Sequence, residues 1–534
     1  MFRRKALVIA VLGTALTAGL PARSATPCAQ CHPKEVAGFA ATPMAHSLDP
    51  AARGPSGHFT HSFSHTEFSI ESSDKGMVQR LARNGHSAEY NIAYTIGSGA
   101  HAFGYLIEID HHLFQSPLGY FAVRGWRMSP GYEDSEAPDF YRPVTPNCLF
   151  CHSGEARPVP GTYNTYQDPP FAAEAITCER CHGPAEAHLR APVPGSIVNP
   201  AKLPPRARDS ICEQCHLNGE ERVPNPGKQL ADFHPGQELE DVFSVYVNPE
   251  SKDPSQRNPF KVVSQVQQLA LSVCARQSHG KLWCGTCHDP HQLPADPKAY
   301  YRSRCLSCHG AELVKTHPKP NDDCVGCHMP RRPVTDGAHT AFTDHRISRR
   351  PLPAASSPAP AAPPASLAAW HDPPGVLANR NLGIAEVIVG ERLESFPLVN
   401  QGYLSLRSCW NNLPNDPGVL TGLGTALMEA GHGAEAAAAF EQVIQIEPNV
   451  ASHYLHAALA WKAAHDNAKA AAYFEKTIQL DPLLDQPYLE LATIYSETHD
   501  RVMYLRTLDR YVKAFPKSIR AQTAMQQNGG SAGR

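Results

Sequence analysis

The cysteines of this chain are paired in a way that indicates covalent chemistry. Fourteen of the sixteen stand in pairs separated by two residues, and a histidine follows each pair directly. The seven C-x-x-C-H motifs contain Cys28, Cys31, His32; Cys148, Cys151, His152; Cys178, Cys181, His182; Cys212, Cys215, His216; Cys284, Cys287, His288; Cys305, Cys308, His309; and Cys324, Cys327, His328. This is the attachment signature of c-type haem, in which two thiols bond one porphyrin and the histidine ligates the iron from the proximal side. Composition alone would give roughly 0.025 such motifs, so the sequence predicts seven covalent haems.

Two other roles for these cysteines fit less well. A zinc site would combine two such cysteine pairs without requiring a histidine directly after each pair. A disulfide framework would not require the histidines either. The two cysteines outside the motifs, Cys274 and Cys409, are predicted to be buried or capped thiols, and a disulfide between them stays open.

Seven six-coordinate irons need seven further ligands on their distal faces. Fifteen histidines outside the motifs precede residue 346, so histidine ligation throughout is feasible, with Met44 and Met128 as weaker alternatives. His188 follows His182 by six residues and is too close to reach the distal face of the same ring, so we expect it to ligate a neighbouring iron. The same reasoning applies to His291, three residues after His288. The candidate distal ligands are His65, His101, His188, His291, His317, His339 and His345.

Three stretches of the sequence resemble a known family. They are Cys-His-Gly-Pro-x-x-x-His at 181–188, Cys-His-Asp-Pro-His at 287–291, and the Cys-His-Met-Pro and Thr-Asp-His-Arg-Ile segments within 327–347. From about residue 25 onward the chain is similar to periplasmic multihaem cytochromes c that carry a tetratricopeptide tail. Their superfamily includes the tetrahaem electron carrier of nitrifying bacteria, the octahaem hydroxylamine oxidoreductases and the pentahaem nitrite reductases. The resemblance implies closely spaced haem pairs and electron transfer, and it supports His101, His188, His339 and His345 as distal ligands.

The first residues indicate where the protein works. A basic start at Arg3 to Lys5, an apolar run over residues 6–18 and a small-x-small site at Ala22-Arg23-Ser24 are typical of a signal peptide over residues 1–24. A retained membrane anchor is the alternative. We therefore expect a periplasmic, surface or secreted protein without a membrane span after cleavage. The net charge of −3 gives no bias toward nucleic acid.

The elements that must position the motifs fall into several segments. We predict a mainly α chain with much irregular structure: a haem-cored cytochrome domain over 25–348, with a small β-meander inserted at about 58–125. A Pro/Ala-rich linker over 349–374, a repeat domain over 375–520 and a disordered tail over 521–534 follow.

The repeat domain has a period of 34 residues. Prolines recur at Pro414, Pro448, Pro482 and Pro516, and the segment from Phe440 is repeated from Phe474. This spacing is the tetratricopeptide pattern, which predicts an all-α solenoid of stacked helix pairs. Such a surface usually binds a peptide or a protein, although a purely stiffening or dimerising role is the alternative.

Two functions follow from these features. The favoured one is electron transfer between redox partners, other cytochromes among them, with the repeats as a docking module and seven haems c as relays. The alternative is a multihaem reductase or oxidoreductase that acts on a small nitrogen or other inorganic compound at one haem with an open distal site. All seven motifs end in histidine, whereas the related pentahaem nitrite reductases carry a lysine there, so the sequence favours the carrier and assigns no catalytic residue.

Overall fold

The computed structural model describes residues 27–50, 52–249, 260–317, 323–337, 340–349 and 363–529. The predicted signal peptide and the candidate ligand His339 lie outside these ranges. About 45% of the described residues are helical, and these residues also form several β-sheets. Among the described residues, no helix is both long and apolar enough to cross a membrane.

The strands lie mostly in the first half of the chain. They are β1 (Leu48–Asp49), β2 (Gly57–His61), β3 (Thr66–Ser73), β4 (Gly76–Arg83), β5 (His86–Asn91), β6 (Tyr94–Ile96), β7 (Ala102–Ile109), β8 (His112–Gln115), β9 (Leu118–Phe121), β10 (Gly125–Met128), β11 (Arg142–Pro143), β12 (Glu155–Pro158), β13 (Tyr166–Ala173), β14 (Glu221–Pro224), β15 (Phe243–Val247), β16 (Arg331–Pro333), β17 (Ala341–Thr343) and β18 (Ala368–Ala369).

Most helices next to the motifs have four to eight residues, with α5 and α9 as longer exceptions, whereas those of the repeats have eleven to sixteen. They are α1 (Pro33–Ala40), α2 (Pro146–Leu149), α3 (Glu179–His182), α4 (Glu186–Arg190), α5 (Pro205–His216), α6 (Gln265–Leu271), α7 (Val273–Gln277), α8 (Cys284–Cys287), α9 (Pro297–Thr316), α10 (Cys324–His328), α11 (Leu377–Arg392), α12 (Phe396–Cys409), α13 (Pro417–Glu429), α14 (Gly433–Ile446), α15 (Ala451–Ala463), α16 (Asn467–Leu480), α17 (Gln486–Glu497), α18 (Arg501–Ala514) and α19 (Ile519–Gly529).

Strands β2 to β5 form an antiparallel meander in chain order. Alternate residues of β3 and β4 are buried, as expected for strands with one face on a core, and Phe68 lies opposite Leu81. Gly76 has a φ of 117°, which suits the tight turn between these strands. A second, seven-stranded sheet contains β1, β6 to β11, and its Tyr105 and Trp126 share a core with the meander.

The helix pairs from α13 onward start at intervals that match the repeat. Helices α13, α15 and α17 begin at residues 417, 451 and 486. Asp466 and Asp500, 34 residues apart, each cap the second helix of a pair by accepting a hydrogen bond from a backbone N–H. Helices α11 and α12 form a further pair before them and pack closely on each other.

The repeat region is joined to the rest of the chain at several points. At its start, the buried Asn381 of α11 donates to Asn225 Oδ1 (2.9 Å) and to Ser244 Oγ (3.0 Å) beside β14 and β15. At its end, Ser518 Oγ donates to the buried carboxylate of Asp139 (2.7 Å). The meander and the last repeats therefore share one hydrophobic cluster.

Two predicted segments differ from the structure. The sequence predicts a solvated linker, but in its described part β18 pairs with β15 and Leu367 is buried, because the edge of β15 offers unpaired backbone groups and the adjacent core accepts an apolar side chain. The sequence also predicts a disordered tail from residue 521, but α19 continues to Gly529. Ile519 and Ala521 are buried, and this burial fixes the helix on β5.

The region around the fifth, sixth and seventh motifs has little core of its own. None of the hydrophobic clusters found among the described residues contains a residue between 273 and 333. Apolar side chains near the motifs are instead exposed, including Leu189 (48%), Val193 (57%) and Leu293 (58%). A region of this kind needs an apolar body other than its own side chains to fill it.

Candidate haem sites

The motifs lie on single helical turns. Three of the motif histidines donate their backbone N–H to the first cysteine of the same motif: His32 to Cys28 O (2.8 Å), His182 to Cys178 O (2.9 Å) and His288 to Cys284 O (2.9 Å). One turn of helix brings residues i, i+3 and i+4 to one side of the chain. Both thiols and the imidazole of a motif can therefore meet one flat ligand.

Thiols of different motifs approach one another. Four pairs lie within hydrogen-bonding reach: Cys28 with Cys178, Cys151 with Cys215, Cys212 with Cys284, and Cys305 with Cys324. Burial, together with the neighbouring thiol, raises the pKa of Cys178 and that of Cys305 to about 11, so these unmodified thiols are neutral at pH 7. The thiol contacts therefore give three groups of motifs: the first with the third, the second with the fourth and fifth, and the sixth with the seventh.

Four motif histidines each face a candidate distal histidine. The ring centres lie 6.4 Å apart for His32 and His188, 5.8 Å for His182 and His291, 6.3 Å for His288 and His345, and 6.0 Å for His328 and His317. In all four pairs the candidate distal histidine comes from a segment that follows a different motif. The structure thus gives His188 and His291 partners outside their own motifs.

These separations fit a metal ion between the rings. Two imidazoles on opposite sides of one metal, each with its nitrogen about 2.0 Å from the ion, have ring centres roughly 6 Å apart. The four pairs span 5.8–6.4 Å. The residues present therefore fit the axial ligand set of a six-coordinate haem.

A hydrogen bond at Nδ1 determines which ring nitrogen carries the proton in three of these histidines. His182, His328 and His345 point Nδ1 at the carbonyl oxygens of Val198 (2.8 Å), Ser348 (2.7 Å) and Thr343 (2.9 Å). A carbonyl only accepts, so Nδ1 carries the proton and Nε2 keeps a lone pair for a metal. Burial also lowers the pKa of His345, which keeps its ring neutral at pH 7.

His101 has the opposite arrangement. Its Nδ1 lies 3.2 Å from Nη2 of Arg331, and its ring stacks on Phe342 at 4.1 Å. A guanidinium only donates, so Nδ1 of His101 accepts and the proton of the neutral ring lies on Nε2. Burial and the charge of Arg331 lower the pKa of His101, which favours this neutral form. In this state the lone pair of Nδ1 is directed at Arg331, and the ligand role of His101 stays a prediction.

His65 is also placed away from the motifs. It is exposed in the turn between β2 and β3, with a φ of 53°. Its neighbour His61 is buried, with Nδ1 2.7 Å from Ser64 Oγ and Nε2 2.8 Å from Glu133 O, so both of its nitrogens are occupied. The structure therefore brings neither histidine to a motif.

Three motif histidines, His152, His216 and His309, face no imidazole in the ring contacts of the described residues. His216 lies beside Gln265, which lines a cavity of about 420 Å³. The other residues around this cavity are Ala100, His101, Arg331, Phe342, Thr343 and His345. The cavity thus combines a guanidinium, two imidazoles and an aromatic ring.

Sequence reasoning missed the residues that orient the imidazoles. Ser196, whose Oγ lies 2.8 Å from His188 Nδ1, carried no signal, and neither did the carbonyl groups or Arg331.

Cys274 and Cys409 are both free thiols, with Cys409 buried. Among the described residues, no group of three or more His, Cys, Asp or Glu side chains could hold a metal ion.

Comparison with known proteins supports part of this description. Residues 132–183, which contain the second and third motifs, match the family model described as cytochrome c554 and c-prime. No curated protein matches the chain. Among solved structures, the chain is similar to MamA from Desulfovibrio magneticus RS-1 (17% identity, 27% of this chain and 75% of that chain, TM-score 0.24). It is also similar to TTC0263, a thermophilic TPR protein in Thermus thermophilus (15% identity, 28% and 80%, TM-score 0.24). The cytochrome assignment thus has support from a family, while the repeat rests on the 34-residue period and the helix pairs of this chain.

Proposed function

We propose that this chain is an exported heptahaem c-type cytochrome that transfers electrons between redox partner proteins. The observation that carries the proposal is the set of four imidazole pairs at ligand separation, each with one motif histidine. The signal-peptide pattern of residues 1–24 supports a periplasmic or otherwise exported location. The motifs and the match over 132–183 support the superfamily of the nitrifier tetrahaem cytochrome and hydroxylamine oxidoreductase.

The residues of each site have distinct roles. The paired cysteines hold the porphyrin covalently, the motif histidines ligate from the proximal side, and His188, His291, His317 and His345 close the distal side of four sites. When bound, haem iron supplies reversible one-electron transfer. Ligation on both faces by neutral imidazoles excludes other molecules from the iron, which suits relays rather than catalysts.

The contacts between motifs give an order of relays. The thiol contacts join the first motif to the third, the second to the fourth, the fourth to the fifth and the sixth to the seventh. His291, which follows the fifth motif, faces His182 of the third. Cys287 of the fifth motif also interacts electrostatically with Cys305 and Cys308 of the sixth. The fifth motif is therefore a junction, with branches toward the first, the second and the seventh motifs.

The repeat region is proposed as the docking module. Its turns at Asp481 and Ser518 contact His112 of β8 and Asp139 of the loop before β11. On α12, Phe396 (56% exposed) and Leu404 (60%) lie eight residues apart on one side of the helix. Exposed apolar side chains of this kind are typical of an interaction surface.

Haem content and spin state test the proposal. We expect the purified protein to contain seven haems per chain by the pyridine haemochrome assay, and each pair of Cys→Ala substitutions in one motif to remove one haem. Electron paramagnetic resonance of the oxidised protein should show at least four low-spin centres. Fewer than four haems, or a mainly high-spin spectrum, would overturn the assignment.

A second function is favoured by the cavity beside His216. Arg331 supplies a cationic donor and His101 supplies an Nε2–H, and both line a space large enough for a small oxyanion. A reductase of a small inorganic compound would use such a site at a haem with an open distal face. A high-spin signal that changes on addition of nitrite or hydroxylamine would support this function over the carrier.

A further inference from the structure

The contacts that fix the imidazole protons are of two kinds. For His182, His328 and His345 the acceptor is a backbone carbonyl. For His188 it is a side chain, because Nδ1 lies 2.8 Å from Ser196 Oγ. The contact of His188 can therefore be removed by a single substitution.

The direction of this hydrogen bond follows from the second contact of the serine. Ser196 Oγ donates its only proton to Val193 O at 2.7 Å. The hydroxyl can then only accept from His188, so Nδ1 of His188 carries the proton. The lone pair of Nε2 is left for the site that His188 shares with His32, whose ring centre is 6.4 Å away.

The same short segment orients a second imidazole. Two residues beyond Ser196, Val198 accepts from His182 Nδ1 (2.8 Å) and donates its N–H to His182 O (3.1 Å). Gly195, with a φ of 88°, turns the chain between Val193 and these acceptors. Residues 193–198 thus hold acceptors for imidazoles of two sites, and the thiols Cys28 and Cys178 of those two sites touch.

We propose that Ser196 is a positioning residue that fixes the ligating tautomer of His188 and thereby sets the reduction potential of the haem attached at Cys28 and Cys31. This inference rests on the proposed function. A hydrogen-bond acceptor at Nδ1 makes the opposite nitrogen a stronger donor and stabilises the oxidised iron. Loss of the acceptor therefore raises the potential of that haem and weakens its distal ligand.

Three variants of the full haem-loaded protein test this role. Ser196→Ala should keep seven haems but change the resonance of one low-spin centre, raise one reduction potential, and increase carbon monoxide binding to one reduced haem about 10- to 100-fold. Ser196→Thr keeps the hydroxyl and should return all three readouts toward wild type. Ser303→Ala is the matched control, because Ser303 Oγ also donates to the carbonyl three residues earlier at 2.7 Å but has no bond to an imidazole.

The affected haem can be identified in the same series. In a Cys28→Ala/Cys31→Ala protein, the effect of Ser196→Ala should disappear. The inference is overturned if Ser196→Ala matches wild type in spectrum and potential, or if Ser303→Ala has the same effect. A parallel His188→Ala variant separates the two levels of argument: if it gains a high-spin centre while Ser196→Ala does nothing, only the role of Ser196 is wrong. If neither changes, the ligand assignment itself fails.

Discussion

Replacement of His291 by alanine tests whether a distal ligand can come from a different motif. His291 follows the fifth motif by three residues, yet its ring centre lies 5.8 Å from that of His182 in the third. We predict that His291→Ala opens the distal face of the haem on the third motif and leaves the haem on the fifth motif unchanged.

The size of the effect follows from the count of sites. One iron in seven should change from low to high spin, because a single axial imidazole is lost and the other six sites are untouched. The side chain of His291 is 42% exposed, so its removal costs little packing and the haem content should stay at seven. Added imidazole should refill the vacated position and restore the low-spin signal.

Electron paramagnetic resonance at low temperature measures this change directly. The matched control is His65→Ala, because His65 is exposed in the turn between β2 and β3. This substitution should leave the spin state of every haem unchanged. The high-spin signal should vanish when Cys178→Ala/Cys181→Ala is added and persist when Cys284→Ala/Cys287→Ala is added. The reverse pattern would refute the cross-motif assignment, and an unchanged spectrum would refute ligation by His291.

Three further predictions follow from other contacts. His101→Ala should create no new high-spin centre, because its Nδ1 accepts from Arg331; a new centre in the spectrum would support the ligand role that the sequence predicted. Asp139→Ala should lower the free energy of unfolding by about 3 kcal/mol in urea titration. The substitution leaves the three buried donors to this carboxylate, including Ser518 Oγ, without an acceptor, and each loss costs about 1 kcal/mol or more. For His112, burial opposes protonation, but the bond to Asp481 raises the pKa above its ordinary value. The stability from this contact is therefore complete below about pH 6.5 and is lost as the pH rises through the higher pKa of the folded protein; His112→Asn should remove that dependence, and an unchanged pH profile of thermal unfolding would contradict the assignment.

The features that could be predicted from sequence are the ones that local spacing determines. The motif residues around His182 lie on one helical turn, and prolines such as Pro448 and Pro482 mark the repeat, so neither depended on distant parts of the chain. Alternation around Phe68 and Leu81 likewise predicted strands that the structure contains. The number of haems that these motifs bind stays a prediction.

The features that could not be predicted depend on residues far apart in the sequence. His101 lies in a glycine-rich stretch that looks like a ligand loop, but Arg331, 230 residues away, determines which of its nitrogens carries the proton. The pairing of His188 with His32 likewise requires the first and third motifs to meet. The sequence predicts a solvated segment where β18 lies for the same reason. The edge of β15 that pairs with β18 is formed by residues over a hundred positions earlier in the chain.

The arrangement of the chain around the motifs also indicates where electrons leave the array. The second motif adjoins the β-sheets, where Ser47 Oγ donates to His152 O and two hydrophobic clusters contain its neighbours. The sixth and seventh motifs have no such cluster among the described residues, and Cys308 and Cys327 are exposed. Cys31 of the first motif and Cys148 of the second are exposed as well, whereas the third, fourth and fifth motifs have no exposed cysteine. Electron exchange between proteins requires a close approach to a relay, so the third, fourth and fifth motifs are best placed as internal relays. A partner held on the repeat helices or in solution would therefore meet the array most readily at one of its ends.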